Sequence, residues 1–151
     1  MLVPFEELSN DARIWIFQSN RLMSDAEQLQ LINSTQQFVN EWTAHNQTLK
    51  ASCVIMHNYF LIIAVDENFN QASGCSIDKA FRHVTQMGDA LKINFFDRLK
   101  VAAMHNNEIQ LFPYFDIKSK PDEFADYKFF KNAIENKLQL QKNWMVNAIE
   151  I

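Results

Sequence analysis

The segment Gln71 to Asp78 (QASGCSID) holds the residue types best suited to chemistry. Ser73, Gly74, Cys75 and Ser76 are small, and they stand where a helix is expected to begin. Backbone N–H groups at a helix start have no partner inside the helix and point outward with the positive end of its dipole. Such a place suits a carboxylate or a phosphate. It also favours the thiolate form of a neighbouring cysteine, which is the nucleophilic form. Cys75 is therefore the candidate nucleophile, and His45 or His57 the candidate base, since a thiol enzyme pairs its cysteine with an imidazole. A second reading competes: Gly74 makes a turn, Ser76 caps, and Cys75 is a small buried side chain. His45, expected at the end of the first helix, also fits a stabilising cation at a helix C-terminus. In this order of elements that helix end is expected far from the start of the next helix, which disfavours a His45–Cys75 pair.

Other chemistries find less support. The four histidines, His45, His57, His83 and His105, are dispersed, and no HxH, HExxH or CxxC spacing occurs. Asp66, Glu67 and Asn68 lack the alternating ligands and closing Glu of a calcium loop. No metal and no cofactor are expected. The only glycines are Gly74 and Gly88, so neither a P-loop nor a dinucleotide fingerprint can be built. A G-x-S-x-G nucleophile elbow is also missing.

Composition narrows the partners. The 151 residues carry a net charge of −4, so a phosphate backbone or an anionic membrane surface is a poor match. The longest apolar run, Tyr59 to Val65, is too short to span a bilayer. The start of the chain reads MLVPFEELSND, with acidic residues where a signal peptide is apolar, so a cytoplasmic location is expected. Cys53 and Cys75 are then expected as thiols.

The elements that position these residues follow from periodicity. Ala12–Gln18 reads as a strand. Ser24 and Glu27 form a capping box ahead of a helix from Asp25 to about Ala44, with Leu29, Leu31, Ile32, Phe38, Val39 and Trp42 on its apolar stripe. Ala51–Met56 and Tyr59–Val65 read as strands around a His57-Asn58 turn. Ser76 is expected to cap a second helix that Gly88 ends. Leu99–Met104 and Glu108–Phe112 form a hairpin around Asn106-Asn107. Pro113 and Pro121 bracket a short helical or irregular piece. Beyond Phe124 the pattern fits a helix, or a strand followed by a helix. The aromatics of Phe124–Phe130 (FADYKFF) fit core packing or a subunit contact. The expected fold is a single α+β domain over residues 1–151, with the ferredoxin-like βαββαβ order, an added hairpin strand and a C-terminal extension.

Several segments are shared with a known group. They are VPFEEL (Val3–Leu8), ARIWIFQSNR (Ala12–Arg21), EWTAH (Glu41–His45), LKAS (Leu49–Ser52), AVD (Ala64–Asp66), ASGCSID (Ala72–Asp78), Asp97-Arg98 with Val101-Ala102, and Asn143-Trp144. In these the chain resembles a family of small uncharacterised bacterial proteins sometimes labelled “ABC transporter ATPase”, over about its first two thirds. The resemblance implies no established activity, and the ATPase label lacks its Walker motif here. Its shared polar residues suggest one pocket in which Arg21, Lys50 or Arg98 supplies positive charge beside Ser52, Asp66, Ser73, Gly74, Ser76 and Asp78. Alternatively Arg21 and Arg98 pair with Glu6, Asp66 or Asp97 to hold loops. The leading functional expectation is a non-catalytic domain that binds a small anionic ligand or a protein partner, with a homo-oligomer possible. A thiol enzyme using Cys75 is the alternative, and nucleotide binding without a P-loop is a third.

Overall fold

A computed structural model describes all residues, Met1–Ile151. Helices and antiparallel sheets are mixed, so the fold is α+β. The chain divides into two compact units, Met1–Phe96 and Asp97–Ile151. No helix is long and apolar enough to cross a membrane.

The first unit is built on three antiparallel strands: β1 (Arg13–Gln18), β4 (Ala51–Met56) and β5 (Phe60–Val65), in the order β1-β5-β4. β5 (FLIIAV) is buried at every position, as a central strand of continuous apolar sequence should be. Along it, Leu61, Ile63 and Val65 face one way and join Phe17, Ala51 and Cys53 in a core with the helices. β4 is flanked on its outer side by the first residues, with Val3 donating to the Ala51 carbonyl. The outer edge of β1 carries no strand.

Two helices cover the core side. The first, α1 (Asp25–Asn40), starts at the expected capping box of Ser24 and Glu27. Its buried line is Leu31, Thr35 and Val39, one residue per turn. Leu29 belongs to the opposite face and is exposed. The helix ends four residues before the expected Ala44, because the chain turns into a small hairpin of β2 (Thr43–Ala44) and β3 (Gln47–Thr48). His45 and Asn46 have positive φ, 52° and 62°, as a two-residue hairpin turn requires. The second helix, α2 (Gly74–Leu91), begins three residues before the expected start. Ser73 is its cap, and Ser76 reaches back in the role usually taken by Glu. Gly88 lies inside this helix and does not end it. A Cβ there would sit 2.6 Å from the Ile93 carbonyl oxygen, so glycine lets the returning chain pass. Lys92, at φ 56°, makes the left-handed exit.

The two helices run antiparallel. Trp42, just past the end of α1, donates to the Ser76 carbonyl at 2.8 Å in the first turn of α2. Midway, Thr35 Oγ1 and His83 Nε2 are 3.0 Å apart, and the His83 ring stacks on Phe38.

The second unit has its own four-stranded antiparallel sheet: β6 (Lys100–His105), β7 (Glu108–Pro113), β8 (Lys128–Phe130) and β9 (Met145–Val146), ordered β7-β6-β8-β9. Asn106 and Asn107 make the expected turn, both with positive φ. The helices α3 (Tyr114–Ser119) and α4 (Lys137–Asn143) complete it. Its core gathers Ala103, Ile117, Phe124 and Phe129, with edge-to-face ring pairs such as Phe112–Phe124 at 5.0 Å. Most aromatics of the FADYKFF segment are thus core. The sequential order βαββαβ is present, interrupted by the β2–β3 hairpin. Its last strand, β6, pairs with β7 and β8, not with β1, so the four-stranded ferredoxin-like sheet does not form.

Candidate functional site

The residues expected to share one pocket lie in several places. Arg21 stands beyond the far end of β1. Its guanidinium takes both carboxylate oxygens of Glu27 at 2.9 and 2.6 Å and donates to the Leu91 carbonyl at 2.9 Å. It therefore joins the start of α1 to the end of α2. α2 has 18 residues and is about 27 Å long, so Arg21 is remote from Gly74 at the opposite end. The paired guanidinium, and then the Ser24 backbone N–H, hold the Glu27 carboxyl far down, to about 2. This is the loop-holding role, with Glu27 as the partner in place of Glu6 or Asp66.

Lys50 and Asp66 are together at the other end of the sheet. The ammonium lies 3.9 Å from the carboxylate, and the Asp66 N–H donates to the Lys50 carbonyl at 2.8 Å. Asp66 also accepts from the Asn68 N–H. The loop after it is tied at each step. Asn68 donates to both oxygens of Asp11, Asn70 donates to the Thr48 carbonyl, and Glu67 accepts from the Ala72 N–H while pairing with Arg13. The acidic loop is a laced connection and not a merely solvated one. Ser52 is buried but sits on the sheet face opposite Cys53, because alternate residues of a strand point opposite ways. It does not share the helix side with Ser73 and Ser76.

At the start of α2 the two serines satisfy each other. The Ser76 N–H donates to Ser73 Oγ at 3.1 Å and the Ser73 N–H to Ser76 Oγ at 2.8 Å. Gly74 has nothing within 4 Å of where a Cβ would be. Cys75 is exposed, which corrects the reading of a small buried side chain. Asp78 is also exposed, one turn further on.

His45 does not end α1; it occupies the tip of the β2–β3 hairpin and is exposed. That hairpin flanks the first turn of α2 through Trp42–Ser76 and Asn70–Thr48. The expected separation of the α1 end from the α2 start does not hold, since the helices are antiparallel. No hydrogen bond or ion pair links His45 to Cys75, so the catalytic pair is not assembled. His57 stands in the β4–β5 turn against Phe60, and burial lowers its pKa. Cys53 is buried, and desolvation pushes its thiol up to about 12. No group of three His, Cys, Asp or Glu side chains converges on a point that would hold a metal ion.

Arg98 belongs to the second unit and makes no ion pair. Its neighbour Leu99 is 79% exposed, beside Tyr114 (47%) and Phe115 (76%). The Tyr114 N–H donates to the Leu99 carbonyl at 2.8 Å, so the backbones of these two residues are adjacent. Sequence reasoning missed these exposed residues. The available signal was Leu99 isolated between Arg98 and Lys100, and an aromatic pair placed directly after Pro113. No protein-family model, curated protein or solved structure matches the chain.

Proposed function

We propose that the protein is a non-catalytic binding domain and that its partner is another protein. The carrying observation is that Leu99, Tyr114 and Phe115 are large apolar residues left exposed on two backbone segments joined by the Tyr114–Leu99 hydrogen bond. Large apolar side chains exposed near one another are a feature of interaction sites. The polar residues support the same reading by being occupied elsewhere. Arg21 is spent on Glu27 and Leu91, Lys50 on Asp66, and Ser73 and Ser76 on each other. A small anion would have to displace these contacts. The thiol-enzyme reading lacks a base on Cys75.

Photo-crosslinking tests the proposal. A benzophenone amino acid placed at position 115 should yield protein adducts in cells, whereas one at the exposed Gln86 should not. Cys75→Ser should leave the adducts and cell growth unchanged. No adduct from position 115, or a growth defect confined to Cys75→Ser, would return the weight to the thiol chemistry.

A further inference from the structure

The second unit holds a cleft of about 450 Å³ between residues 131–135, α4, β9 and the closing turn Ala148–Glu150. Ligand pockets run from about 300 to 1,000 Å³, so the cleft has room for a small molecule. Its frame is fixed by hydrogen bonds. The Lys131 N–H donates to the Trp144 carbonyl at 2.7 Å, and the buried Trp144 ring donates from Nε1 to Asn132 Oδ1 at 2.9 Å. The Glu135 N–H donates to Gln139 Oε1 at 2.7 Å, which ties the segment to α4. The Asn147 N–H donates to the Glu150 carboxylate at 3.2 Å.

The lining carries charge that the protein does not neutralise. Lys131 supplies an ammonium, and Glu135 and Glu150 supply carboxylates. All three are exposed, and no ion pair engages any of them. Charges of opposite sign thus line one cleft without pairing with each other. One positive against two negative leaves a sum of −1. Ile134 and Val146, both partly buried, give the cleft an apolar wall.

We propose that this cleft binds a free basic α-amino acid, a ligand with one carboxylate, two cationic nitrogens and an aliphatic stem between them. The carboxylate meets Lys131, and the cationic nitrogens meet Glu135 and Glu150 in charge-assisted hydrogen bonds. The stem lies along Ile134 and Val146. An acidic amino acid would set a second carboxylate against a lining of net −1 and is rejected. The site is separate from Leu99, Tyr114 and Phe115 and does not depend on the protein-binding reading.

Titration of the isotope-labelled full-length protein with L-arginine hydrochloride, followed by amide chemical shifts and matched against sodium chloride, tests it. Saturable shifts should appear at residues 131–135, Gln139 and Asn143. The Kd should be on the order of 1 mM, since exposed ion pairs are individually weak. L-Lysine should behave alike, and L-glutamate should not saturate by about 20 mM. Arginine amide and N-acetylarginine, each lacking one charge, should bind the unaltered protein about threefold more weakly. The Glu135→Gln/Glu150→Gln double variant should bind arginine about tenfold more weakly, with a thermal melt equal to wild type verifying its fold. Shifts no larger than those with sodium chloride overturn the proposal, as does equal binding of glutamate and arginine. Arginine binding that the two blocked forms match and the double variant leaves unchanged also overturns it, since the ligand would then sit elsewhere.

Discussion

One guanidinium, that of Arg21, closes the first unit at the end where α1 begins and α2 stops. Its pairing with Glu27 leaves an acid signature. The Glu27 pKa falls from 4.5 to about 2 in the folded protein. The folded state therefore binds fewer protons than the unfolded state between these values, and stability falls as pH is lowered through them. Arg21→Ala or Glu27→Gln should flatten that fall, read as the urea midpoint at pH 5 and at pH 3. The cysteines make a second contrast. Cys53 is buried with its thiol pushed up to about 12, and Cys75 is exposed. Iodoacetamide at pH 8 should therefore give a single adduct on Cys75, with Cys53 alkylated only once urea unfolds the chain. Two adducts in the folded state would contradict the packing of β4. The two glycines differ in the same local way. Gly88→Ala would force a Cβ onto the Ile93 carbonyl and should cost about 1–3 kcal/mol. Gly74→Ala meets open space and should stay within about 0.5 kcal/mol. Urea unfolding of both variants measures the difference.

At the scale of elements, the α1–α2 seam is sensitive to pH. His83 is packed between Thr35 and Phe38, and burial lowers its pKa below 6.5. The sign is the same as for Glu27: the unfolded chain takes up the proton first, so stability is full above about 6.5 and is lost as pH falls below it. Thermal melts at pH 7.5 and 5.5 should differ, and His83→Gln should narrow the gap. His57, also lowered by burial, should supply the remainder. Most of these elements were legible in the sequence because local signals were strong. The Ser24–Glu27 box and the Asn106-Asn107 turn were read directly. The pair His-Asn occurs three times; at 45–46 and 57–58 both residues have positive φ, and at 105–106 the turn falls one residue later, on Asn106-Asn107. At 57–58 it stood between apolar runs and was read as a hairpin. At 45–46 it followed a helical pattern, which masked the same signal. Gly88 was misread because its reason is a tertiary contact with Ile93, invisible to local pattern. The candidate pocket failed for a similar cause. Which end of a helix meets which end of a strand decides whether Arg21 and Lys50 can share a ligand, and residue type alone does not reveal it.

Across the whole molecule, charge is unevenly distributed. Ten of the eighteen acidic residues and six of the fourteen basic ones lie in Met1–Phe96, so that unit carries −4 and Asp97–Ile151 is neutral. Neither unit thus has the net positive charge needed to hold a phosphate backbone at physiological salt. Duplex DNA and single-stranded RNA should give no mobility shift with the intact protein at about 150 mM salt. A shift abolished by Arg98→Glu would instead make Arg98 a nucleic-acid contact.

The edge position of β1 has a consequence for how the protein is made. Arg13–Gln18 (RIWIFQ) is synthesised before its partner β5, which is complete only when Val65 has been added, 47 residues after Gln18. At about 5–20 residues per second the strand waits roughly 2–9 s with neither edge paired. Six residues rich in Ile, Trp and Phe, with one charge and no proline, have the composition of an aggregating segment. The nascent chain therefore passes through an interval in which a defined six-residue apolar segment is unpaired.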